Sequence, residues 1–144
     1  MTGAGALALL LGALGFQYVA HLAPCEMCHW QRWPYIAAAA IGLIGTVVWK
    51  KDARLLAIFT IVMVAVSGSI GAYQAGMQWG LLPGPEGCAV AHAYVMGSNA
   101  PAPEISCNAV TWSLFGLSLA AYNAIFALLI AATGAFLLSR KHAA

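Results

Sequence analysis

KKDAR (50–54) followed by LLAIFTIVMVAVSGSIGAYQAGM (55–77) sets three cations directly ahead of an uncharged run long enough to cross a bilayer. A hydrocarbon core takes about 20 residues at roughly 1.5 Å rise each. Outward from this run, the stretches 3–23, 33–49 and 110–138 also qualify, the second being the shortest. Four spans are therefore expected, with the cations of 50–54 lying between the second and the third.

The composition demands such a solvent. The chain is 62% hydrophobic and 7% charged, which no soluble globule accommodates without a very large exposed apolar surface. No nucleic-acid partner is expected. Arg140 and Lys141 follow span four, so five of the six basic residues share a side with the 50–54 cluster. By the positive-inside rule that side is the cytoplasm. Glu26, Glu86, Glu104, Arg32 and every cysteine then fall on the other side. The expected fold is an all-α membrane protein, a four-transmembrane-helix bundle forming a single domain over 1–144. Both termini are cytoplasmic, and one long periplasmic loop covers about 78–109. Pro83, Gly84, Pro85, Gly87, Pro101 and Pro103 break helix and strand there, so a mobile loop with at most a short interfacial helix is expected. The first span lacks the basic n-region and short apolar core of a cleavable signal and is read as retained.

The outer face of a bacterial inner membrane permits disulfides, whereas the cytosol keeps thiols reduced. Cys25-Glu26-Met27-Cys28 stands between spans one and two. Pro24 ends or bends the first span. Cys28 falls near the start of the second, where free backbone amides and the helix dipole favour a thiolate. Arg32, four residues on, shares its face, lowers the thiol pKa further and is placed to hold a carbonyl oxygen of a bound acceptor. The bland readings are a static Cys25–Cys28 disulfide and an Arg32 that snorkels to headgroups. Cys88 and Cys107 lie in the long loop, where a disulfide between them is expected to be exposed and hence labile; its bland reading is a bridge that merely restrains the loop.

Two other chemistries use the same residues. Cys25-Glu-Met-Cys28-His29 satisfies the C-x-x-C-H haem attachment pattern, with His29 as proximal ligand and His21, Met77, His92 or Met96 as distal ligand. That membrane c-type cytochrome leaves Cys88 and Cys107 without a role. A four-cysteine zinc site lacks knuckle spacing, and no metal is expected. A structural membrane protein with static disulfides is the third class.

Pro24-Cys25-Glu26-Met27-Cys28-His29-Trp30-Gln31-Arg32-Trp33-Pro34 carries a resemblance, together with Tyr73-Gln74-Ala75-Gly76-Met77-Gln78-Trp79. Pro85-Glu86-Gly87-Cys88, Cys107-Asn108, Ser113-Leu114 and Ser118 extend it. In order, spacing and topology the whole chain resembles the DsbB family of disulfide bond formation membrane proteins. Vitamin K epoxide reductases share the four-helix idea, but their loop cysteines precede the CxxC. The resemblance implies an inner-membrane oxidoreductase that takes electrons from a DsbA-like periplasmic thiol oxidase and passes them to a membrane quinone, ubiquinone or menaquinone. It implies that Cys88 forms the mixed disulfide with the partner, that Cys107 then exchanges with Cys25, that Cys28 faces the quinone, and that Arg32 helps hold and polarise it. Many relatives have histidine where this chain has Gln74, and often an acid where it has Gln78. Gln74 is placed to donate a hydrogen bond to a quinone carbonyl, or else is a polar residue touching water at a helix end. Trp30, Trp33, Trp79 and Trp112 are expected in the aromatic belt, with Trp30 or Trp33 also placed to stack on a ring.

Overall fold

The computed structural model describes residues 2–22, 24–48, 53–85 and 107–143. Four helices dominate it: α1 (Thr2–Tyr18), α2 (Glu26–Val48), α3 (Ala53–Gln78) and α4 (Leu119–Ala143). α3 is central, packed against both α2 and α4, while α1 leans mainly on α2. Among the described residues two helices are long and apolar enough to cross a membrane, α3 and the Leu119–Arg140 part of α4; α1 is apolar but shorter.

Polar and apolar side chains are distributed inside out. Leu55, Ile44, Phe126 and Phe136 are exposed, whereas Gln31, Thr60, Ser67, Gln74 and Ser118 are buried. Apolar solvent explains both halves: lipid wets the outer surface, and polar groups turn inward to find partners. Thr60 Oγ1, for example, donates back to Leu56 O at 2.8 Å. Small residues permit close helix approach. Ala6, Ala38, Ala39, Ala127 and Ala131 surround Tyr35 and Val64 in the main core. A Cβ on Gly42 would lie 2.8 Å from Gly3 Cα, so α1 and α2 touch backbone to backbone.

The ends of the helices fix where the site lies. α1 stops at Tyr18 rather than 23, closing with Val19 N and Ala20 N on Gly15 O and with His21 at φ 53°. Cys25 then caps α2, its carbonyl accepting from Cys28 N (3.1 Å) and His29 N (3.4 Å). α3 ends in a Schellman motif: Leu81 N donates to Gly76 O, Gly80 N donates to Met77 O, and Gly80 supplies the left-handed residue at φ 72°.

The stretch expected as a helix from 110 begins differently. Strands β1 (Ser113–Leu114) and β2 (Leu117–Ser118) pair antiparallel across a two-residue turn. Phe115 (φ 51°) and Gly116 (φ 78°) occupy that turn, the two positive φ values that match strand twist. Helix α4 starts only at Leu119, because Ser118 Oγ accepts from Ala121 N at 3.3 Å and acts as its cap. The fold is thus helical with one short hairpin rather than purely α.

Candidate functional site: a thiol pair at the mouth of a cavity

Cys25 closes the α1–α2 linker and Cys28 sits in the first turn of α2, ahead of the expected span at 33–49. Both are free, and their sulfurs lie 3.0 Å apart. The hydrogen bond from Cys25 is the largest influence on Cys28 and pulls its pKa below the ordinary thiol range against the opposing effect of burial; backbone, Gln74 and finally the Arg32 charge add to it. The same bond, with burial, pushes the Cys25 thiol up. Cys28 is therefore the thiolate of the pair, and the helix N-terminus it faces stabilises that charge. The Arg32 contribution has the expected sign but is the smallest.

Gln74 of α3 reaches across to both sulfurs. Its Nε2 lies 3.0 Å from Cys25 Sγ and 3.8 Å from Cys28 Sγ, and its Oε1 lies 4.0 Å from Cys28 Sγ. Gln31 Nε2 holds that Oε1 at 2.7 Å. Gln74 is 2% exposed, so it is an interior group rather than one touching water.

Cys107 is disulfide-bonded and only 1% exposed. It packs with Cys25, Met27 and Met77, and Cys28 borders the cluster. The expectation of an exposed loop disulfide is corrected at this end: the Cys107 sulfur is sealed against the thiol pair. Cys88, together with Glu86, His92, Met96 and the rest of 86–106, lies outside the described residues. Of the expected site residues, Cys25, Cys28, Cys107, Arg32 and Gln74 are brought to one end of the bundle.

A cavity of about 410 Å³ opens beside the pair, reached by Cys25, Cys28, Arg32, Gln74 and Gln78. Arg32 donates through Nη1 to Gln17 Oε1 of α1, while its buried Nε has no hydrogen-bond partner among the described residues. Phe16, Trp112, Tyr122 and Phe126 form a run of neighbouring rings along one wall, with centroids 5.3, 6.2 and 6.4 Å apart in turn. Trp112 is thus the tryptophan at the cavity; Trp30 and Trp33 are exposed and do not line it. His29 is exposed as well. Among the described residues no group of three His, Cys, Asp or Glu side chains stands ready to hold a metal ion. Sequence reading missed Gln17, Gln31, Tyr35 and Asn123. Its available signal was polarity inside an apolar span, above all Asn123 in the fourth, since such a residue needs a partner.

Helices that face apolar side chains outward and gather two free thiols, a disulfide cysteine and a guanidinium at one end define a helical membrane thiol–disulfide protein. Comparison with known proteins narrows the class. The sequence pattern of the family described as Disulfide bond formation protein DsbB matches residues 1–137, and the chain belongs to that family. Among similar proteins is Disulfide bond formation protein B of Aromatoleum aromaticum (strain DSM 19018 / LMG 30748 / EbN1), 28% identical over 95% of this chain and 90% of that one. That of Dechloromonas aromatica (strain RCB) is 32% identical over 96% and 89%. That of Shewanella sp. (strain ANA-3) is 35% identical over 75% and 51%. No solved structure matches the chain.

Proposed function

We propose that the chain is a four-span inner-membrane enzyme that reoxidises a DsbA-like periplasmic thiol oxidase and delivers the electrons to a membrane quinone. The observation that carries this reading is the burial of the Cys107 sulfur against a free Cys25–Cys28 pair at the mouth of an apolar cavity. In this reading, as the family resemblance implies, Cys107 is paired with Cys88. A soluble thiolate cannot reach a sulfur that is 1% exposed, so its attack falls on Cys88 and Cys107 leaves as thiolate. Cys107 then attacks Cys25 of an oxidised Cys25–Cys28 disulfide, releasing Cys28, whose place in the first turn of α2 favours the leaving thiolate. The partner's second thiol frees Cys88 as the partner becomes oxidised. Cys88 attacks Cys107, reforming the loop disulfide and leaving Cys25 and Cys28 reduced. That end state has the redox pattern of the structure: two free thiols and a bonded Cys107.

The residues around the cavity fit a quinone. Its walls are mainly apolar and aromatic, Cys28 stands at its edge, and Arg32 presents a cation with an unpartnered Nε donor in the same region. When bound, a quinone accepts the two electrons and two protons that restore the Cys25–Cys28 disulfide. Arg32 orients and polarises the acceptor, Cys28 supplies electrons, and the apolar wall excludes water. The deciding experiment is absorbance-monitored reduction of a soluble quinone analogue driven by a reduced DsbA-like protein. Turnover that is lost in Cys28→Ser is expected. Turnover that is independent of all four cysteines would overturn the reading.

A further inference from the structure

The thiol pair is the end of a hydrogen-bond chain that crosses three helices. Tyr35 OH of α2 donates to Asn123 Oδ1 of α4 at 2.6 Å. Asn123 Nδ2 donates to Gln31 Oε1 at 2.8 Å, and Gln31 Nε2 donates to Gln74 Oε1 at 2.7 Å. Gln74 Nε2 closes the chain on Cys25 Sγ at 3.0 Å. Every donor points toward the sulfurs. An amide has a donor end and an acceptor end, so turning over any one of the three amides while the other two stay would place two like ends against each other at an amide–amide link, at the full desolvation cost of both.

The chain is built into the packing. Ser67 Oγ donates to Gln31 O at 2.8 Å and fixes the backbone under the second amide. A Cβ at Gly71 would meet Asn123 Nδ2 at 3.0 Å, so the third amide occupies a slot left by the missing side chain. Gln31 and Gln74 are buried among apolar helices, where hydrogen bonds strengthen and aligned links polarise one another. Without the upstream links, Gln74 could turn its oxygen toward the sulfurs as easily as its nitrogen. A carbonyl oxygen there would oppose a thiolate, whereas the N–H supports it.

We propose that Gln31, Asn123 and Tyr35 are positioning residues that lock the Gln74 amide with its N–H toward the Cys25–Cys28 sulfurs, so that a group on α4 governs thiolate formation at the start of α2. The proposal rests on Cys25 and Cys28 being the working redox pair. Besides the two thiols, Arg32 supplies the charge acting on Cys28, Glu26 stands half-buried between the cysteines in the first turn of α2, and His29 is exposed beside them. Among the described residues α1 presents Gln17, α3 presents Gln74 and Gln78, and α4 presents Asn123 and Tyr122 toward this end.

The test is the pH profile of iodoacetamide alkylation of Cys25 and Cys28 in the full chain, read peptide by peptide by mass spectrometry with the Cys107 disulfide intact. Asn123→Leu, which changes no charge and lies three links from sulfur, should move the profile to higher pH and slow alkylation at pH 7 by about two- to tenfold. Tyr35→Phe, which keeps the shape of the side chain, should act in the same direction and serves where Asn123→Leu does not fold. In a Gln74→Met background neither variant should move the profile further. An unmoved profile, or an equal shift in the Gln74→Met background, would overturn the chain. A separate measurement guards the premise: if Cys25→Ser oxidises a DsbA-like partner at the wild-type rate, the redox reading fails whatever the alkylation shows.

Discussion

Arg32 shows how one side chain separates two steps of the proposed reaction. It lines the cavity and is tied to Gln17 through Nη1, yet its charge contributes least to lowering the Cys28 pKa. Arg32→Ala should therefore raise the apparent KM for a quinone analogue while exchange with the partner persists. Loss of one charge-assisted hydrogen bond costs about 1.5 to 3 kcal/mol, about 10- to 150-fold. Arg32→Lys should rescue incompletely, because a point charge replaces a planar fork; unchanged quinone kinetics in Arg32→Ala would return the residue to a headgroup anchor. The loop cysteines separate in the same manner. Cys107→Ala removes the leaving and resolving sulfur, so Cys88 should accumulate a mixed disulfide with a DsbA-like partner, visible as a reducible higher-mass band. Cys88→Ala leaves a sulfur seated in the buried cluster and should trap little. Equal trapping by the two variants would reverse the order of electron flow argued from burial.

At the scale of elements, glycine decides how α1 meets α2. Backbone contact at Gly3 and Gly42 leaves no flexible side chain to yield, so Gly42→Val should destabilise the bundle by about 1 to 3 kcal/mol, the usual range for overpacking. Gly15→Ala, with nothing within 4 Å of its Cβ position, should be nearly neutral. Thermal unfolding in detergent compares the two, and an equal loss would show that the α1–α2 contact is not what holds α1. Most element positions were legible, because hydrophobic runs report helices in lipid directly. The starts and stops were less so. Val110–Ser118 is apolar enough to read as span, and nothing in its hydropathy says that Phe115 takes a positive φ or that Ser118 caps α4. Helix α1 likewise ends at Tyr18 without a glycine to mark it. At the site, the CxxC and Arg32 could be read from spacing along one helix. The partners of Gln74 could not, since Gln31 and Asn123 meet it only through packing of α2, α3 and α4.

At the scale of the whole molecule, the two ends of the bundle differ in chemistry. The thiol pair, Cys107, the cavity mouth and the hairpin occupy the end where α1 finishes and α2 begins. Arg54 lies in the first turn of α3 and Arg140 in the last turn of α4, at the opposite end of the same helices, with Arg140 lying 5.4 Å over the Phe136 ring. Reversing the orientation would put the cation-rich end outside and the thiols in the reducing cytosol, opposing both the charge rule for short loops and any lasting Cys107 disulfide. A membrane-impermeant thiol reagent applied to intact spheroplasts after mild reduction should therefore label native cysteines. In a background with those cysteines replaced, single cysteines at Asp52 or Ala143 should stay unlabelled until the membrane is opened. Labelling at Asp52 in intact spheroplasts would invert the orientation, and with it the placement of the partner, because Cys25 and Cys28 sit beside Gln74 near the C-terminal end of α3 whereas Asp52 precedes Ala53, its first residue, in the sequence.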